Sequence, residues 1–242
     1  TKSIEISTFG LLLGLAFYLS FLFFESELKN NGKDPEIAYK LLIAIIPSAI
    51  IGAKIISIFS RFSEFISNPL NILFSGADLS FYGGLILSII VSVIVLKVIK
   101  EDFFEIADIL APAVMLGYSI GKFGSHLSGF SYGIKTSSFL GVAYPNGYTP
   151  VSASVYPTAL FEMFISMVFF ILLIKLSKKS LPKGTLFLGT LALNSITFFM
   201  MNFITADIKV FLSLSVNQIL SITTFIISAV IISISTLKSV SR

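Results

Sequence analysis

Seven stretches of this chain are apolar over the length that a helix needs to cross a bilayer, about 20 residues. They run from Ser7 to Phe24, Ile37 to Ser60, Ser80 to Lys97, Ile106 to Lys122, Val155 to Ile174, Leu186 to Ile204 and Phe211 to Leu237. Composition agrees: charged residues make up 12% of the chain, about half the roughly 25% of a soluble domain, and the mean hydropathy is +0.94. The expected fold class is an all-α membrane protein with seven transmembrane helices. The fourth run is the weakest, short and interrupted by Pro112 and Gly117, and could be tilted or buried among its neighbours. No repeat is evident and no linker is long enough to divide the chain, so residues 1–242 read as one domain. The charged stretch "ESELKNNGKDPE" after the first run has no small-x-small site, so that run is not expected to be a cleavable signal peptide.

Basic residues orient the chain. With seven spans the connections alternate sides. One side collects Lys29, Lys33, Lys97, Lys100, Lys175, Lys178, Lys179, Lys183, Lys238 and Arg242, with Lys40 at its edge, and the other Lys2, Arg61, Lys135 and Lys209. The richer side should be cytoplasmic, which puts the N-terminus outside and the C-terminus inside. A pI near 9.2 then reflects loop lysines facing anionic lipid, and no nucleic-acid partner is expected. The longest polar stretch, Gly124 to Ser154, falls outside; its glycine, tyrosine and proline content without a charge run predicts an ordered, partly embedded loop.

Ionisable groups inside spans are costly and mark function by default. Lys54, Asp108, Lys122 and Glu162 lie in the runs, and the single histidine, His126, follows Lys122 by four residues. Lys54 could snorkel to the headgroups, and Asp108 could cap the helix that begins beside it. Glu162 sits about two turns into its run, too deep to reach water, and should face an internal polar cavity. The chain has no cysteine, so disulfides, thiolate metal sites and a cysteine nucleophile of its own are excluded. No metal or cofactor is expected. "LSFYGGLILS" raises a separate question, since glycine costs a helix about 1 kcal/mol relative to alanine and two stand together at Gly83 and Gly84. Close helix crossing is one reason for such a pair.

In order and spacing, the segments "KNNGKDPEIAYKLL", "IIGAKI", "NPLNILFSGADLSFYGGLI", "FEIADILAPAVMLGYSIGKFGSHLSGFSYG", "LGVAYP", "YPTALFE" and "SLSVNQILSI" resemble the prolipoprotein diacylglyceryl transferase family. The resemblance implies a bacterial inner-membrane, multi-pass enzyme and a specific reaction. The thiol of a precursor's lipobox cysteine attacks the glycerol carbon that carries the phosphate of phosphatidylglycerol, and diacylglycerol is transferred as a thioether. It implies a phosphatidylglycerol-like phospholipid and a prolipoprotein signal peptide as partners. The expected catalytic set is Tyr82, Lys122 and Glu162 at family positions, joined by His126, which the family pattern does not supply. The implied substrate-binding set is Lys54, Gly83, Gly84, Gly124, Ser125 and Tyr156, the glycines letting a headgroup approach the backbone. A lipid-sized cavity is expected near Tyr82, Gly83, Gly84, Lys122 and His126, and Lys122 and Glu162 should point into one cavity.

Several polar family positions are replaced. Against the pattern GRxGNFxNGE the chain reads "GKFGSHLSGF", with Lys122 for the arginine, Ser125 and Ser128 for the asparagines and Phe130 for the glutamate, while His126 is new. HPxQLYE becomes "YPTALFE", with Tyr156 and Ala159 in place of histidine and glutamine, and a tyrosine near the start of the first run is Phe9. In the sixth run two arginines and a glutamate fall at Thr197, Ile204 and Met201 when the chain is anchored on Asp207 and Gln218. The alternative reading is therefore a catalytically inactive family member, a lipid-binding or scaffold subunit with membrane-protein partners. A transporter or channel has only the number of spans behind it.

Overall fold

The computed structural model of the chain describes residues 8–60, 62–74, 80–205, 209–211 and 213–240. In chain order it has α1 (Thr8–Asn30), α2 (Glu36–Ser60), short α3 (Phe62–Ser67) and α4 (Pro69–Phe74), α5 (Phe81–Val98) and α6 (Phe103–Leu127). A hairpin of β1 (Val142–Tyr144) and β2 (Val151–Val155) precedes α7 (Thr158–Ser177) and α8 (Thr185–Met201). A smaller hairpin, β3 (Lys209–Phe211) and β4 (Leu214–Ser215), leads into α9 (Val216–Val240). Among the described residues each apolar run lies mainly on a helix, although the fifth begins at the end of β2 and the seventh begins in the β3–β4 hairpin. Of the helices, α1, α2, α6, α7 and α9 are long and apolar enough to cross a membrane, while α5 and α8 are apolar but shorter. The protein is an all-α membrane protein. The run expected to be weakest is one of the long helices, because α6 keeps Pro112 inside it and extends through polar residues at both ends that hydropathy alone does not register.

Large apolar side chains lie on the outside as well as in the core, where Leu28, Ile37 and Ile106 are buried. Ile43, Phe59 and Val168 are exposed at 73%, 72% and 61%, as lipid-facing side chains should be. Buried hydroxyls instead turn back on their own helices: Ser92 donates to the Ser88 carbonyl, Ser166 to that of Glu162 and Thr190 to that of Leu186. Such internal bonds satisfy the hydroxyl without water.

The chain divides into two compact units, Glu25–Ile106 and Thr1–Phe24 with Ala107–Arg242. Within Glu25–Ile106, α2 packs along α5. A side chain at Gly52 would strike the Gly83 carbonyl, one at Gly83 would strike that of Gly52, and one at Gly84 would lie 2.9 Å from the Ala49 carbonyl oxygen. The glycine pair therefore serves a helix crossing in which two backbones touch. On that side α2, rather than a headgroup, fills the space left by the missing side chains. Ser80 caps α5 by accepting the Gly83 N–H (3.3 Å), and its own N–H donates to the Ala53 carbonyl of α2 (3.3 Å).

Two helices of this unit end in the same way. Lys33 N–H bonds the Leu28 carbonyl (2.9 Å) and Gly32 N–H that of Lys29, while Glu101 N–H bonds the Leu96 carbonyl (2.9 Å) and Lys100 N–H that of Lys97. Both are Schellman closures, which need a left-handed residue. Gly32 supplies it after α1 at φ 69°, and Lys100 after α5 at φ 61°. The residues that follow, Lys33 and Glu101, form an ion pair of 2.9 Å, and Lys33 also reaches Glu105 at 2.8 Å. Hydrogen bonds from Glu105 and then Glu101 hold the Lys33 ammonium above its ordinary pKa.

In the other unit α8 packs on α7 and α9. Asp108 does not cap its own helix. Asp102 does so, accepting the Glu105 N–H at 2.8 Å. The Asp108 carboxylate instead accepts the N–H groups of Gly184 (2.7 Å) and Phe187 (2.8 Å), at the start of α8. A cap expected within one helix thus joins two distant parts of the chain. The start of α9 carries a capping box: Ser215 N–H donates to Gln218 Oε1 (3.0 Å), and Gln218 N–H donates back to Ser215 Oγ (3.2 Å). Asp207, the anchor used for the sixth run, lies outside the described residues.

The long polar stretch is ordered. After α6 the chain closes in a third Schellman motif, with Phe130 N–H on the Ser125 carbonyl (3.0 Å) and Gly129 at φ 59°. Residues 133–136 then pair with 154–156, through Gly133 N–H to Tyr156 C=O (2.8 Å), Tyr156 N–H to Ile134 C=O (3.1 Å) and Thr136 N–H to Ser154 C=O (2.9 Å). β1 and β2 pair antiparallel with Val142 opposite Val155 and Tyr144 opposite Val151. The hairpin carries Tyr144 to the end of α6.

Candidate active site

Tyr118, Lys122 and His126 recur every four residues on α6 and therefore share one face of that helix. Glu162 faces them from α7. Because α7 begins at Thr158 rather than Val155, Glu162 sits just past the first turn instead of about two turns in. Its side chain is 8% exposed and Lys122's is 24%, and Lys122 Nζ lies 2.7 Å from Glu162 Oε2. Tyr118 donates its hydroxyl to the same oxygen. The ammonium also stands 5.3 Å from the Tyr118 ring centroid, within cation–π range. The charges of Lys122 and Glu162 therefore neutralise each other. That is how such groups are tolerated away from water.

One turn further along α6, His126 Nδ1 shares a hydrogen bond of 2.8 Å with the Tyr144 hydroxyl. Tyr144 is 8% exposed and stacks on Tyr132 with ring centroids 5.6 Å apart. Tyr132 in turn donates to the Thr149 carbonyl (3.1 Å). Burial pushes the Tyr144 phenol above its ordinary pKa, so it stays protonated at neutral pH. In the tautomer whose Nδ1–H donates to the Tyr144 hydroxyl oxygen, Nε2 carries the lone pair and is the nitrogen able to accept a proton.

Around this core, Ser125 Oγ pairs with Ser131 Oγ (2.8 Å) and Ser128 Oγ donates to the Gly124 carbonyl (2.8 Å). A side chain at Gly124 would lie 2.9 Å from Leu12 Cβ, so this glycine admits α1 against α6. Tyr156 is held by the backbone pairing with Gly133 and Ile134. Thr197 is buried and bonds the Leu193 carbonyl, Met201 ends α8, and Ile204 lies beyond it with its carbonyl on Ile134 N–H (2.8 Å). Phe9 and Phe130, both at polar family positions, stack face to face at 4.6 Å and 4°.

The structure thus brings Lys122 together with Glu162 and fixes His126 one turn away. Lys54, Tyr82, Gly83 and Gly84 belong to the other unit. There Gly83 abuts Gly52, and Ser80 bonds Ala53, so the start of α5 is tied to the turn of α2 that carries Lys54. Among the described residues no three His, Asp or Glu side chains converge as metal ligands. Sequence reasoning missed Tyr118 and Tyr144. Tyr118 had a signal, its four-residue offset from Lys122. Tyr144 stood inside the segment "LGVAYP", but its place beside His126 comes from the hairpin register alone.

Comparison with known proteins adds an independent line. The family model described as prolipoprotein diacylglyceryl transferase matches residues 1–234. The phosphatidylglycerol–prolipoprotein diacylglyceryl transferase of Clostridium botulinum (strain Hall) is 29% identical over 233 residues, covering 93% of this chain and 91% of that protein. The protein of the same name from Listeria monocytogenes serotype 4a (strain HCC23) is 27% identical over 238 residues, 95% of this chain and 86% of its own length.

Proposed function

The chain belongs to the prolipoprotein diacylglyceryl transferase family, and on that premise we propose that it transfers diacylglycerol from phosphatidylglycerol to the lipobox cysteine of a prolipoprotein. The observation that carries this is the pair Lys122 and His126, each locked by its own partner and one helical turn apart, about 5–6 Å between Cβ atoms. A displacement at carbon has its nucleophile and leaving group on opposite sides of the reacting centre. A base and a cation at this spacing can serve the two sides at once.

In this reading the substrate thiol gives its proton to His126 Nε2. The sulfur–carbon bond forms as the carbon–oxygen bond breaks, and glycerol phosphate leaves with the electron pair. The phosphate passes from one negative charge to two, so a cation aimed at it favours the transition state over the ground state. Lys122 is that cation. It carries charge neutralisation that the family pattern spreads over three arginines. Glu162 holds it, Ser125 lies on the same turn, and Tyr156 lines the approach from the hairpin. Within the unit Glu25–Ile106 the lipid-binding residues of this reading are Lys54 and Tyr82, and there Gly83 and Gly84 let α5 approach α2. Gly124 does the same for α1 and α6.

The same reading has seven spanning helices, with α5 and α8 crossing as the shorter members, the N-terminus outside and the C-terminus in the cytoplasm. It is one domain, since α1 and α6 each supply residues to both units, in a bacterial cytoplasmic membrane. The relatives are named as transferases, which favours catalysis over the inactive lipid-binding subunit. The test is twofold: complementation of cells depleted of their own transferase, and thioether formation on a lipobox peptide by purified protein in phosphatidylglycerol micelles, followed by mass. Failure of both, with the protein folded, would overturn the proposal.

A further inference from the structure

Lysine at a phosphate site has a defect that arginine lacks. Its ammonium is a point charge on a flexible stem, whereas a guanidinium brings a rigid, planar fork. Something else must therefore fix its direction. Tyr118, one turn before Lys122, acts on that ammonium twice. Its hydroxyl donates to the carboxylate oxygen that Lys122 Nζ reaches at 2.7 Å, and its ring lies 5.3 Å from Nζ. The ring is itself anchored, edge-on to Phe198 of α8 at 6.0 Å and packed against the buried cluster of Ala111, Met115, Leu173 and Leu186. An ammonium has three N–H groups; Glu162 takes one, which leaves donors to turn toward an incoming oxyanion.

We propose that Tyr118 is a positioning residue of the transfer reaction, which fixes the Glu162 carboxylate and the Lys122 ammonium so that a flexible lysine presents a directed pair of donors to the phosphate of the lipid. The proposal rests on the reading of Lys122 as the phosphate-facing cation. In this proposal Tyr118 acts on neither the reacting carbon nor the thiol, but through Glu162 and Lys122. It follows that its hydroxyl should matter when the cation is lysine and should matter less when the cation brings its own fork.

The experiment is a cycle of four proteins, purified and assayed in phosphatidylglycerol micelles with a lipobox peptide: the natural chain, Tyr118→Phe, Lys122→Arg and the double variant. Tyr118→Phe keeps the ring and its packing and should lower kcat/KM about tenfold through the lost orientation of Lys122. The same change made on Lys122→Arg should cost less than about threefold. Equal losses in the two backgrounds, or no loss in the first, would overturn the proposal. If Tyr118→Phe does not fold, Tyr118→His, which keeps a planar ring and a donor, enters the cycle with Tyr118→Leu. The leucine variant should then show the background-dependent loss and the histidine variant a smaller one, and equal losses again overturn it. Absence of turnover in the natural chain would defeat the transferase reading instead. In that case binding of phosphatidylglycerol against phosphatidylcholine decides, and a Tyr118→Phe protein with unchanged preference for the anionic lipid overturns the proposal.

Discussion

At the scale of single residues, the Lys122–Glu162 pair has a structural role and a chemical one, and the two can be separated. Glu162 is 6% exposed, so removal of its partner strands a buried charge, which typically costs about 3–5 kcal/mol. Lys122→Met should therefore lower the thermal midpoint clearly in detergent. Adding Glu162→Gln should recover most of that loss while leaving the enzyme inactive, because the cation facing the phosphate is still missing. Transfer by either variant should fall at least about 100-fold, measured as thioether product. His126→Gln should remove the acid limb of the rate profile, since no ring nitrogen is left to be protonated there; an unchanged limb would take His126 out of the reaction. Tyr144 should be silent in such a profile. Its folded pKa is raised by burial, so its contribution to stability is complete below the unfolded phenol value of about 10 and is lost only as pH climbs through the higher folded value. A hairpin that loosened at acid pH would contradict this. Phe9 and Phe130 show what residue-by-residue reading cannot: two polar positions lost separately in the sequence are one stacked pair in the structure.

At the scale of elements, stability concentrates where helices end or cross. Lys100 occupies a left-handed conformation with a side chain, which costs roughly 1–2 kcal/mol compared with its usual region. Lys100→Gly should accordingly raise the melting midpoint, by about 1 kcal/mol of stability, without touching activity. A fall would mean that the lysine side chain makes up for the strain. The α2–α5 crossing should be far less forgiving. Gly83→Val would force a side chain into the Gly52 carbonyl, and the expected outcome is loss of folded protein on size-exclusion chromatography. Gly14, which has nothing near its would-be side chain, is the control: Gly14→Ala should be tolerated.

At the scale of the whole molecule, orientation is open to a direct test. Reporter fusions after Lys179 should read cytoplasmic and fusions within 137–154 external; the reverse pair would invert the topology and move the hairpin to the other side. The membrane class and the family were legible in the sequence, because hydropathy and ordered motifs are one-dimensional properties that need no contact to be read. Lys122 and Glu162 were legible too, as charges where charges are expensive. Their pairing could only be expected, and it took α7 packed on α6 to bring the ammonium and carboxylate within bonding distance. Tertiary structure alone decided the remainder. Asp108 has the chemistry of a cap, but which helix it caps depends on α8 arriving beside it. Gly83 and Gly84 could admit a lipid or a helix, and only the approach of Gly52 distinguishes them. Tyr144 finds His126 through a hairpin register, and a register is set by backbone pairing across the chain, which no local stretch of residues encodes.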